Sequence, residues 1–130
     1  MDSTLLCRIS AIASQSASPT EDTINQTTQL LDYITMQEEA VLTYNVNDMK
    51  LAAHSNASYP SEPKARSRVG GHFLLSSDTQ VPENNGAVLK IAHIIKHIMP
   101  SATEAELAAL YIMAQEAVYN RIVLEEMGHK

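Results

Sequence analysis

The sequence predicts an α/β protein of the α+β kind, in which three antiparallel strands and one long C-terminal helix follow a separate N-terminal helical segment. Three observations carry this expectation. Short β-prone runs punctuated by Asn, Pro and Gly fill the middle of the chain, from Val41 to Lys96. Two helix-start signatures stand at Ser18-Pro19-Thr20-Glu21 and at Ser101-Ala102-Thr103-Glu104. Behind the second, residues Leu107 to Met113 are almost uninterruptedly apolar, as expected of a helix buried between a sheet and a further layer.

At 130 residues and 45% hydrophobic content, the chain can close one core. Its net charge of -6 excludes wholesale attraction to phosphates or to an anionic membrane. The basic side chains gather in the middle, where Lys50, Lys64, Arg66, Arg68, Lys90 and Lys96 face only Glu62, Asp78 and Glu83. A single cysteine, Cys7, forms no internal disulfide, and no signal-peptide pattern or membrane span is present. An intracellular protein, cytoplasmic or nuclear and not secreted, is expected.

Thr4 to Ala13 has helical spacing but is short, and Ser14 to Pro19 is a polar connector, so this start reads as the end of something larger. Ser18 is expected to cap the next helix, with Pro19 in its first turn and Glu21 closing a capping box. Ile24, Thr27, Leu31 and Ile34 then form a stripe that ends at Gln37-Glu38-Glu39. Val41 to Val46 and Met49 to Ser55 read as a strand pair or one bent strand, with Tyr59 to Lys64 as a loop. Arg68 to Ser76 is the next strand, placing Val69, Gly71, Phe73 and Leu75 on one face. A second polar loop, Ser77 to Asn85, ends in Asn85-Gly86, which suits a tight antiparallel turn. A third strand alternates Leu89, Ile91, His93 and Ile95 with Lys90, Ala92, Ile94 and Lys96, one face fully buried. In the last helix Leu107, Leu110, Ala114, Ala117 and Leu124 are expected to face inward, and Gly128 to end it.

Three motifs, in order, are more specific than any of these: His54 to Tyr59, Arg66-Ser67-Arg68-Val69-Gly70-Gly71, and Ser101 to Leu107. Together they resemble the ribonuclease H domain of copia-type retrotransposon polyproteins. The resemblance covers residues 40–130, and residues 1–39 look like the tail of the preceding reverse transcriptase. It implies a ribonuclease H-like fold, truncated here, and an enzyme that cuts the RNA strand of an RNA/DNA hybrid during reverse transcription. In intact members of the family two Mg2+ ions about 4 Å apart are held by clustered carboxylates, which offset the repulsion between the cations. By resemblance Glu106 matches the helix glutamate, whereas Asn56 stands where the first aspartate belongs. An amide keeps the size of the carboxylate but loses its charge and one of its two oxygens. The chain reaches Lys130 before a fourth strand, so the third acid is expected to be absent.

The resemblance therefore implies an inactive remnant without a bound metal, Glu106 being at most a weak ligand. Arg66, Arg68 and Gly71 are the candidates for contact with the hybrid. The alternative is a non-catalytic module that binds nucleic acid or protein. With the strand of Asn56 at an edge, low stability or self-association through that edge is expected. In a third reading, coding sequence beyond Lys130 completes the domain. Glu104 reads as a capping residue. His93 and His97 would share a helix face, as zinc ligands do, but on a strand they lie more than about 13 Å apart. His93 is then a core or near-core residue, and His54 and His72 are packing or surface residues.

Overall fold

The computed structural model describes residues 5–37 and 41–129. Helix α1 (Leu6–Ala13) has no side-chain cap and buries no residue. Helix α2 (Glu21–Met36) is capped by Thr20, two residues later than expected. Thr20 Oγ1 accepts from Thr23 N at 3.3 Å, and Thr23 Oγ1 accepts from Thr20 N at 3.1 Å. Thr23 then donates to Gln15 Oε1 at 2.9 Å, which ties the first turn of α2 to the connector after α1. Thr23 is also the buried residue of α2, whereas Ile24, Leu31 and Ile34 of the expected stripe are exposed or outward-facing. Glu38 and Glu39, at the expected end of this helix, lie outside the described residues.

The chain divides into two units at Leu42/Thr43, close to the boundary expected at 39/40. In the second unit strands β1 (Lys50–Glu62), β2 (Arg66–Ser76) and β3 (Ala87–Ile94) form one antiparallel sheet in the order β1-β2-β3. Residues 41–49 do not form the expected first strand. Asn85 takes the place of a strand neighbour there: its Oδ1 accepts from Asn45 N at 2.8 Å and its Nδ2 donates to Asn45 O at 3.0 Å. The same Nδ2 donates to Leu75 O at 2.8 Å, so one amide side chain pins the segment to β2. The loop 77–86 ends at Asn85-Gly86 as expected, but Gly86 does not take the positive φ of a tight turn. A Cβ on Gly86 would stand 2.8 Å from Thr43 O and from the Tyr44 ring, and only glycine permits that approach.

β1 runs through Tyr59 and Pro60, where a loop was expected, with the pairing interrupted between Ser58 and Glu62. Proline is tolerated because β1 is an edge strand, whose outward N–H groups have no ladder to join. A 3-10 turn (Pro63–Ala65) closes the hairpin, Lys64 and Ala65 taking φ of 64° and 54°.

Helix α3 (Ala102–Glu126) lies across β1 and β2. Ser101 Oγ accepts from Glu104 N at 3.2 Å, one arm of the capping box expected of Ser101 and Glu104. At the other end Gly128, φ 90°, donates to Glu125 O while His129 N donates to Leu124 O, the paired bonds of a Schellman stop. The inward seam is Ala105, Ala109 and Met113, not the expected leucine stripe: Leu107 is 64% exposed and Leu110 56%. Small residues win this seam because they let the helix backbone approach the sheet. Val69, Ile95 and Ala109 form the buried cluster, with Ala57, Ile91 and Ile112 packed around it. β3, at the opposite edge, is half-buried along most of its length and not fully buried on one face. His93 is exposed, which corrects its expected place in the core.

Candidate functional site

The edge position of β1 and the close approach of α3 leave an open cleft of about 430 Å3 between them. Ser55 and Asn56 line it from the strand, and Thr103, Glu106, Leu107 and Leu110 from the helix. With Ala105 and Ala109 against the sheet, the helical period carries Glu106 and Leu110 round to the cleft. The two positions that the sequence resemblance singles out therefore share one cavity. Glu106 is exposed. Glu104 does not line the cleft and occupies the capping turn.

Asn56 sits opposite Gly70 in the register, and its Oδ1 accepts from Ala57 N at 2.8 Å. The only oxygen of the amide is thus engaged by the backbone, and its NH2 group is a donor that repels a cation. Among the described residues the cleft offers one carboxylate, that of Glu106. This donor set does not fit a pair of divalent ions, which need several ionised oxygens. Among the described residues no group of three or more His, Cys, Asp or Glu side chains is placed to hold a metal.

The three residues proposed to touch a hybrid part company. Arg68 is buried, and its Nε donates to Glu62 Oε1 at 2.7 Å. It is not a surface cation for phosphates, because the hairpin returns β2 beside Glu62 and the pair is enclosed together. Gly71 faces α3, and a Cβ there would meet Met113 Sδ at 2.6 Å and His54 O at 2.7 Å. Its missing side chain makes room for the helix and not for a nucleic acid strand; Gly70, with open space where a Cβ would be, has the bare surface. Arg66 remains at the hairpin end, half-buried, its Nε donating to Pro63 O at 3.2 Å.

A histidine pair missed by sequence reasoning lies on the sheet face opposite the buried seam. His54 and His72 are cross-strand partners with rings stacked at 4.9 Å, and Lys90 follows in the same row on β3. Burial, then the His54 ring, then the Lys90 ammonium hold the His72 imidazole below its ordinary value of 6.5. The unfolded chain therefore takes up this proton more readily than the fold. Stability from this source is present above pH 6.5 and is lost as the pH falls below it, levelling once His72 titrates in the fold. Between about pH 7.5 and about pH 5.5, the urea midpoint should fall more for the native chain than for His72→Gln. Equal falls would rule out His72 as the source.

Among the described residues no helix is long and apolar enough to cross a membrane. Comparisons of the chain with protein-family models, with curated proteins and with solved structures gave no match.

Proposed function

We propose that the β1/α3 cleft is the degenerate active site of a copia-type ribonuclease H domain, one that neither holds magnesium nor cuts RNA/DNA hybrids. One observation supports this reading above the others: Asn56 and Glu106, distant in sequence, line the same cleft. In this reading the resemblance supplies the ancestry, and the chemistry of the two side chains explains the loss. A cleft lined by a lone carboxylate and an amide cannot compensate the mutual repulsion of two dications. Leu107 and Leu110 add an apolar wall, which gives no further ligand.

The purified chain, incubated with a labelled RNA/DNA hybrid and magnesium, is expected to leave the hybrid intact. Asn56→Asp restores a second carboxylate to the cleft, and Mn2+ used as a magnesium surrogate should then bind at least about tenfold tighter in paramagnetic relaxation titrations. Cleavage by the native chain that disappears in Glu106→Gln would refute the proposal. So would Mn2+ affinity that is unchanged by Asn56→Asp, because the two side chains would then not share a site.

A further inference from the structure

The His93 to His97 segment, unsuited to zinc, contributes to a second cavity, away from the β1/α3 cleft. Beyond β3 the chain is anchored by Ile95 N, which donates to Ser67 O at 2.8 Å, and then passes over α3. A cavity of about 310 Å3 lies between this passage and the helix. Its floor is apolar, made by Ile95, Met99, Ala108 and Ile112, and Ile95 belongs to the buried cluster beneath. The polar side chains in its lining are His93, Lys96, His97 and Tyr111, whose hydroxyl accepts from Gln115 Nε2 at 3.2 Å and keeps its own hydrogen to donate.

Among the described residues no carboxylate lines this cavity, in a chain whose acids outnumber Lys and Arg by 15 to 9. An apolar floor with a few convergent polar groups is the usual make-up of a small-molecule site. The charge at this mouth selects among ligands. A cation would meet Lys96 with nothing to balance it, and a purely apolar molecule would cover the ammonium without pairing it. A monoanion with an apolar body satisfies both halves, its head accepting from Lys96, the imidazoles and the Tyr111 hydroxyl. We propose that this cavity binds a small amphipathic carboxylate, with an alkyl or aryl body on the Ile95/Met99/Ala108/Ile112 floor and the carboxylate at Lys96. The inference is independent of the nuclease reading, since it shares no residue with the β1/α3 cleft.

Octanoate, octanol and octylamine carry the same body with three different heads, and titration of each against the methyl NMR signals of Ile95, Met99 and Ile112 tests the site. Octanoate is expected to shift these signals saturably and to bind at least about tenfold tighter than octylamine, with octanol between them. Lys96→Glu, an exposed change that leaves the floor intact, should reverse the order of octanoate and octylamine. Ala108→Phe should fill the floor and abolish the shifts with all three. Octylamine binding as tightly as octanoate to the native chain, an order unchanged by Lys96→Glu, or no methyl shifts at millimolar octanoate would overturn the proposal.

Discussion

Phe73→Ala is expected to lower the stability of the second unit by about 3–5 kcal/mol. Phe73 is fully inaccessible to solvent on the central strand, and it is the largest such side chain. Because β2 is paired on both sides, the sheet cannot fold in to close the cavity left behind. The loss is comparable with the whole stability of a marginal domain, which is about 5–15 kcal/mol. Urea denaturation should show a much lower midpoint or an already unfolded chain. Leu107→Ala is the matching control: a leucine that helical periodicity puts in the core but that is 64% exposed in the fold. Its cost should stay within about 0.5 kcal/mol. Similar losses for the two variants would mean that α3 is rotated from the orientation described.

Glu62→Ala should cost about 3–5 kcal/mol, although glutamate near a hairpin end is ordinarily a surface residue. The Glu62 and Arg68 side chains are only 12% and 8% exposed, and they meet at 2.7 Å. Removing the acid takes from the enclosed guanidinium the carboxylate that offsets its desolvation. Replacing both partners with apolar residues, Glu62→Leu with Arg68→Met, should recover most of the loss, because neither charge then needs solvent. Thermal or urea unfolding of the two single variants and the double variant measures the coupling directly. A Glu62→Ala cost below about 1 kcal/mol would show that the pair is in effect solvated.

The cleft was legible in the sequence only as two positions. Asn56 and Glu106 stand out in the sequence because each sits in a short local motif, and the proposed replacement of an acid by an amide concerns a single letter. The engagement of the Asn56 oxygen by Ala57 N is a local bond as well, but it depends on the edge geometry of β1. The apparent basic surface of Arg66, Arg68 and Gly71 dissolved for a different reason. Its meaning depended on which way β2 faced and on what the hairpin enclosed, and neither follows from composition. The histidine pair went unnoticed because adjacency of His54 and His72 is a consequence of strand register.

The sequence by itself determined the kinds of element over most of the chain, their order, and both ends of the last helix: the three β-prone runs, the Ser101 cap and the Gly128 stop. These are set by forces that act within about one helical turn, such as capping, φ preference and side-chain period. Tertiary structure decided the rest. It chose the small-residue seam of α3 over the leucine stripe, carried β1 past Pro60, turned Asn85 into the anchor of residues 43–49 and enclosed Arg68 with Glu62. Each of these is a contact between distant segments, where close approach and desolvation outweigh local preference.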